Sequence, residues 1–343
     1  MSQQLRVLVG NSTDPYFNLA TEDWIFRDMD PETKVLFLWR NDKSIIVGRG
    51  QNVWSECDLD GVERDGVHVV RRHSGGGAVY QDLGNTCFTF MGKKEAGKST
   101  KELYARNNGI LIRALASLGI EAQSSGRNDL VVDNDGQSFK ISGSAFKESK
   151  DRCFHHGTML MNVDLTKLSN YLTPDSKKLK AKGIKSVRSR VLNLKDLRPD
   201  IDHEIFCQTL IEQFFVEYEG SCPIERLDND KLTELETLAE YYETLKSWDW
   251  VYGKTPNFQH TLSERFSWGG IELHLDTDKG HIRAAKLYTD SLVPDPLENL
   301  VSFLKDKPYT KSGLETACRE HLQLDSDHED MLKEVYRWVS QAI

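Results

Sequence analysis

Short apolar runs separated by polar punctuation dominate the first half of the chain, a pattern that predicts strands more than helices. Val35-Leu36-Phe37-Leu38-Trp39 and Ser44-Ile45-Ile46-Val47 flank Asn41-Asp42-Lys43 and predict a hairpin. Val67-His68-Val69-Val70 leads into Arg71-Arg72 and a glycine run, after which Asn85-Thr86-Cys87-Phe88-Thr89-Phe90 predicts a further strand. The period then changes. Leu103, Asn107, Ile110, Leu111, Ala114, Leu115 and Leu118 recur at helical spacing over 101–118, and Gly119 closes the segment. Leu130-Val131-Val132 and Ser138-Phe139-Lys140-Ile141 flank Asp133-Asn134-Asp135-Gly136, a second hairpin. Met159, Met161 and Val163 alternate with Thr158, Leu160 and Asn162 in a strand that follows His155-His156-Gly157.

Helical patterns then cover 203–218 and 230–246, and residues 248–257, with Trp248, Trp250, Gly253 and Pro256, read as a connector. Beyond it, Phe266–Leu273 and His281–Tyr288 flank Asp276-Thr277-Asp278-Lys279-Gly280 as a hairpin, and helices are predicted over 295–305, 312–321 and 328–342. No repeat or low-complexity segment occurs. The expected fold class is therefore α+β in two parts: a large unit over 1–247, a linker over 248–257 and a small α+β unit over 258–343. The length of 343 residues fits two domains better than one.

Charge sharpens this picture. The chain has 44 basic and 53 acidic side chains, a net charge of −9, which argues against a general nucleic-acid binder. Residues 140–198, however, carry 14 basic and 5 acidic side chains, whereas 199–343 carry 14 and 29. A mean hydropathy of −0.52 and the absence of any apolar run near the ~20 residues of a bilayer span predict a protein with no membrane segment. The six cysteines include no C-x-x-C pair, so free thiols in a reducing compartment, and a cytoplasmic location, are expected.

Four stretches offer chemistry. In Arg71-Arg72-His73-Ser74-Gly75-Gly76-Gly77-Ala78-Val79-Tyr80, glycine backbone after a strand can turn N–H groups onto an anion beside two arginines. It is not a P-loop, because no Gly-Lys-Ser/Thr follows and strand pattern resumes; a plain flexible loop is the alternative. In Phe139-Lys140-Ile141-Ser142-Gly143-Ser144, alternation puts Lys140, Ser142 and Ser144 on one face, either lining a cleft or meeting water. In Cys153-Phe154-His155-His156, the adjacent histidines must point to opposite faces and cannot share a metal, while Cys153 and His155 share one side. That pair is either a nucleophile with its base or a packed thiol beside a histidine. Finally, the basic run Lys177–Arg190 is a solvated face, an anion-closing loop or a docking patch.

Taken together, Arg-Arg-x-Ser-Gly-Gly-Gly-Ala-Val-Tyr-x-Asp at 71–82, Gly-Asn-Thr-Cys-Phe-Thr-Phe at 84–90 and Ser-Gly-Arg-Asn-Asp-Leu at 125–130 closely resemble bacterial lipoate–protein ligases of the A type. So do Lys-Ile-Ser-Gly-Ser-Ala at 140–145, His-His-Gly-Thr at 155–158 and Lys-Gly-Ile-Lys-Ser-Val-Arg-Ser-Arg-Val at 182–191. The resemblance implies a biotin/lipoate ligase catalytic domain, related to class II aminoacyl-tRNA synthetases, with mixed sheets flanked by helices. It implies ATP-dependent activation of lipoate to lipoyl-AMP and transfer to a lysine of apo lipoyl domains or H protein, with Mg²⁺ accompanying ATP. By resemblance Lys140 is catalytic. Arg72, Gly75, Gly76, Gly77, Ala78, Val79, Tyr80, Asn85, Asp129, Lys140, Ser142, His156, Lys182 and Ser186 are expected to hold the nucleotide or adenylate. Arg72, Ser74, Gly77, Lys140, Ser142 and Gly143 are expected to hold lipoate, and Asp129 is a metal candidate. The dithiolane tail is expected beside Val47, Val79 and the 142–145 turn. A monomer without nucleic-acid or membrane partners is expected.

Two alternatives stand beside this. An octanoyltransferase of the same superfamily would use a cysteine thioester, yet neither family position carries a cysteine here; those positions read Leu172-Thr173-Pro174-Asp175 and Ser124-Ser125-Gly126. A non-catalytic lipoyl-domain binder would be expected to lack the lysine or the intact glycine run, and both are present.

Overall fold

The computed structural model describes residues 4–95, 100–126, 128–172, 191–252, 260–278 and 280–342. β1 (Leu5–Gly10) leads into α1 (Pro15–Asp28), whose start is fixed by the Asp14 carboxylate accepting the Tyr16 and Phe17 N–H groups and by Pro15 at its first turn. β2 (Lys34–Trp39), β6 (Asn85–Lys93), β7 (Ala122–Ser125), β8 (Asp129–Asn134), β9 (Gln137–Glu148), β10 (Arg152–Leu160) and β11 (Ile224–Leu227) join β1 in one sheet, ordered β11-β1-β2-β6-β10-β9-β8-β7. Its β11-β1-β2 edge is parallel and the rest antiparallel. A second sheet has β3 (Ser44–Val47) between β4 (His68–Arg71) and β5 (Val79–Gln81).

The first expected hairpin does not form. β2 and β3 lie in different sheets, and both are buried on both faces. Asn41, read as a turn residue, is buried: it accepts from Asn18 Nδ2 at 2.9 Å and donates to Gln81 Oε1 at 2.7 Å. Those bonds hold the chain where it crosses between sheets, and they compensate for burying its carboxamide. The β8–β9 hairpin does form, with one departure from strict alternation. The register shifts so that Leu130 faces Ser142 while Val131 faces Lys140, leaving Ile141 as a bulge.

One face of the large sheet buries Leu36, Phe88, Phe90, Leu130 and Met159 against α4 (Thr100–Ser117) and α7 (His203–Glu217). The other buries Val35, Phe37, Trp39, Cys87 and Phe154 against α1, α9 (Glu236–Lys246) and the inner face of the small sheet, Ile46 and Val70. Behind the small sheet, Ile45, Val47, Val69 and Tyr80 pack with Tyr171 of α5 (Leu165–Tyr171) and Val251 of α10 (Trp248–Val251). The short helices α2 (Val53–Glu56), α3 (Leu59–Arg64), α6 (Leu194–Leu197) and α8 (Lys231–Glu234) occupy connections.

A third sheet, the antiparallel meander β12 (His260–Phe266), β13 (Gly269–Asp278) and β14 (His281–Thr289), carries α11 (Asp295–Leu304), α12 (Lys311–Leu324) and α13 (Glu329–Ala342). The expected last hairpin is thus β13–β14, and Phe266 belongs to the preceding strand β12. Leu297, Leu300 and Leu304, spaced at helical intervals, close a separate core with Ile271, Leu273, Leu314 and Val335. Among the described residues no helix is long and apolar enough to cross a membrane.

Candidate active site between the two sheets

β3 and β4 deliver the chain to the glycine run at the edge of the cleft between the sheets. Arg72, expected to meet ligand, is buried and its guanidinium is occupied by the loop itself. Nε donates to Ser74 Oγ at 3.0 Å, Nη1 to the Ile46 carbonyl at 2.9 Å, and Nη2 to the carbonyls of Gly75 at 2.6 Å and Gly77 at 2.9 Å. Burial pulls its pKa down to about 10, so it remains a cation at neutral pH. Arg71 behaves alike on the other side, donating to the carbonyls of Gly48, Arg49, Gln51, Trp250 and Val251. The two arginines are struts that shape the loop.

Gly76 sits at φ +91°, which a side chain would strain, and its N–H donates to the Ser291 carbonyl at 2.8 Å. The N–H expected to face an anion is therefore engaged by the segment between β14 and α11. Arg49 ties down the first turn of α11 that follows, 2.5 Å from Asp295 Oδ1 and 3.0 Å from Glu298 Oε2. Burial raises the Glu298 pKa, an effect partly countered by Arg49.

Ser74 Oγ lies 2.6 Å from His156 Nε2, and His156 Nδ1 lies 2.9 Å from both Glu22 oxygens. Thr89 Oγ1 donates to Glu22 Oε1 at 2.5 Å. This has the spacing of a serine–histidine–acid relay. Yet Ser74 is buried, out of reach of a substrate, and its oxygen already accepts from the Arg72 cation, which lowers its nucleophilicity. With the His156 proton assigned to Nδ1, every hydrogen bond in the chain is satisfied, and the group serves as a rigid polar floor. Asp23 Oδ2 is 2.5 Å from His73 Nδ1, off the hydrogen-bond direction, and the His73 ring lies tilted at 34° to that of Trp250, 4.4 Å between centroids.

Lys140 lies on the cleft face of β9. Its Nζ is 2.7 Å from Asp129 Oδ1, and the pair is partly exposed. A Cβ on Gly143 would sit 2.6 Å from that Nζ, so the missing side chain makes the room the lysine fills. The Leu192 N–H holds the Lys140 carbonyl at 3.0 Å, and Asn128 pins the preceding turn through three hydrogen bonds with Ser144.

The bulge corrects the expectation that Lys140, Ser142 and Ser144 share a face. Ser142 stands opposite Leu130 and Met159, both in the core under α4 and α7, so it leaves the cleft face; Gly143 and Ala145 take its place. Val47 likewise packs behind the small sheet, while Ile46 and Val70 are fully buried against the large sheet and Val79 is partly buried beside them. Tyr80 turns away too, tilted on Tyr171 at 5.6 Å beside the partly buried Ala78. Asn85 uses its Oδ1 on the Asp82 N–H, while its buried Nδ2 has no partner. Lys182, Ser186 and the Lys177–Arg190 run lie outside the described residues. Among the described residues no group of three or more potential ligands could hold a metal, and Asp129 is paired with Lys140.

His155, as expected, faces opposite to His156. It stacks on Phe90 and meets Phe88 and Tyr104 edge to face, with both ring nitrogens unpartnered, and burial drives its pKa down to about 3. Cys153 shares that far face, and burial raises its thiol to about 11. Glu22, Asp23 and Thr89 are the site residues that motif reading passed over; two acids within the apolar face of α1 were the available signal.

Two sheets enclosing a glycine loop, with a lysine opposite it, make up an α+β catalytic domain of the lipoate ligase type. Residues 14–215 match the lipoyl protein ligase A/B catalytic domain family, and residues 255–335 match the bacterial lipoate protein ligase C-terminus. Among solved structures, the chain is similar to LipL1 of P. falciparum in complex with lipoate, at 36% identity over 98% of this chain and 99% of that one, TM-score 0.83. It is also similar to the bipartite lipoate protein ligase of Thermoplasma acidophilum (25% identity, 75% and 100% covered, TM-score 0.65) and to a lipoate-protein ligase A bound with ATP (25%, 74% and 99%, 0.60). The chain belongs to the lipoate–protein ligase family.

Proposed function

We propose that this protein activates free lipoate with ATP and transfers the lipoyl group to a lysine of apo lipoyl domains, including H protein. Residues 1–247 would be the catalytic unit, with 258–343 an accessory one. The observation that carries the reading is Lys140, a cation placed on the cleft face by the bulge at Ile141 and the absent side chain of Gly143. Attack of a carboxylate oxygen on the α-phosphorus of ATP forms a carboxylate–phosphate anhydride and expels pyrophosphate. Two anions must meet, so a fixed cation at the meeting point lowers the barrier. Asp129 orients the ammonium. In the second step the acceptor amine attacks the activated carbonyl, AMP leaves with the bonding electrons, and the amine nitrogen loses a proton. Val79, with Ile46 and Val70 packed behind it, would offer an apolar wall for the acyl chain, and the Glu22–His156–Ser74 floor would keep the loop above it rigid. Mg²⁺ would arrive on the phosphates, held by phosphate oxygens and water with at most one carboxylate of this chain.

A thioester route through Cys153 finds no support, because that thiol is on the far face and held in its neutral form. Mass spectrometry of an apo lipoyl domain incubated with the protein, ATP, Mg²⁺ and lipoate tests the proposal. A gain of one lipoyl group that requires ATP is the expected result; no gain, or a gain without ATP, refutes it.

A further inference from the structure

The small C-terminal unit is acidic as a whole, with ten basic and fifteen acidic side chains over 260–342. Its cations are not evenly spread. α12 and α13, which give Leu314, Ala317, Val335 and Val339 to the core, leave an open groove of about 680 Å³ between them, with Leu314 and Tyr336 at its base. Lys311 and Arg319 line it from α12, and Lys333 and Arg337 from α13. These are four of the ten cations, against one carboxylate, Glu315.

All four cations are exposed. Lys333 pairs with Glu329 one turn earlier on its own helix. Lys311, Arg319 and Arg337 have no carboxylate within ion-pair distance among the described residues. Cys318 and Tyr336 form the floor, and Leu324, 80% exposed, stands at the end of α12. Helical spacing places these residues together: 311, 315, 318–319 and 322 on α12, and 333, 336–337 and 340 on α13. Three unpaired cations and a fourth paired on its own helix, gathered in one concave strip of an acidic unit, attract an acidic surface. The strip belongs to the same unit whose 289–294 segment is hydrogen-bonded to Gly50 and Gly76, so a protein held on it is tethered to the unit that meets the glycine loop.

We infer that the groove between α12 and α13 docks an acidic surface of the protein that accepts the acyl group. This rests on the ligase reading above. The test is steady-state lipoylation of a purified apo lipoyl domain by the full chain and by Lys311→Glu/Arg337→Glu. The acceptor KM is expected to rise about tenfold, with the KM values for ATP and lipoate and the lipoate-dependent ATP–pyrophosphate exchange unchanged. For the unaltered chain, raising salt to about 0.3 M raises the acceptor KM, and the variant loses most of that dependence. Poly-L-glutamate is expected to compete with the acceptor for the unaltered chain but not for the variant.

The neutral pair Lys311→Gln/Arg337→Gln, checked by circular dichroism, gives an intermediate KM and guards against a misfolded charge reversal. An acceptor KM within twofold in both folded variants overturns the inference, as does a change confined to the KM for ATP. Absence of exchange in the unaltered chain would instead overturn the ligase reading.

Discussion

Replacing Arg72 by Lys separates a strut from a ligand contact. The guanidinium makes four hydrogen bonds inside the loop, to Ser74 Oγ and to the carbonyls of Ile46, Gly75 and Gly77. A lysine keeps the charge but gathers its donors at one point, so it can retain about two of the four. Each charge-assisted bond contributes roughly 1.5–3 kcal/mol, and the abandoned carbonyls are in a buried setting, so the loss is about 3 kcal/mol or more. At a slope of roughly 3 kcal/mol per M, the urea midpoint drops by about 1 M. Trp250 is a suitable reporter, because its indole N–H donates to the Arg71 carbonyl at 2.8 Å and its ring packs against His73. The lipoate KM should rise together with the fall in stability, since the loop loses its shape. An unchanged midpoint with a raised KM for lipoate or ATP would show that Arg72 contacts ligand directly and would refute the strut assignment.

The remaining predictions concern Lys140 and the far face of the sheet. Lys140→Ala should lower lipoate-dependent ATP–pyrophosphate exchange by at least about 10²-fold with the urea midpoint little changed; exchange at the unaltered rate would remove the lysine from the chemistry. Cys153→Ser should leave lipoylation within about twofold, because the thiol is protonated and faces away from the cleft; loss of transfer with adenylation intact would revive a thioester. His155 stays neutral in the fold down to about pH 3 but takes a proton near pH 6.5 when unfolded. The unfolded state therefore binds more protons, and stability present above pH 6.5 is lost as pH falls toward 3, by about 2 kcal/mol at pH 5. His155→Phe should flatten that acid loss in urea melts at pH 5 and pH 7, and an unchanged pH slope would contradict it.

The elements legible in the sequence were those whose signal is local. The helix over 101–118 has a full amphipathic period and a glycine stop, and the hairpin at 133–136 carries its own turn residues. The Asn41 turn misled because its polarity is satisfied by Asn18 and Gln81, residues distant in sequence that supply buried partners. A polar residue between two apolar runs reads as a turn when only its neighbours are visible. The bulge at Ile141 was invisible for a related reason. It is a property of the β8–β9 register, and no residue type in Lys140–Ser142 announces it.

That single extra residue decides what the site is. With strict alternation Ser142 would stand beside Lys140; with the bulge it enters the core and Gly143 comes to the cleft, where the absence of a side chain admits the lysine. The motif marked the loop and the lysine, and packing shows what their side chains touch. Both arginines shape backbone, while two acids in α1, whose burial only the packed fold reveals, complete the floor under the loop. The acidic C-terminal unit shows the same limit of linear reading. Its total charge conceals a cationic strip, because Lys311, Arg319, Lys333 and Arg337 are scattered along two helices and converge only when those helices pack. Counting charge along a chain averages over faces; packing separates them, and a partner meets one face at a time.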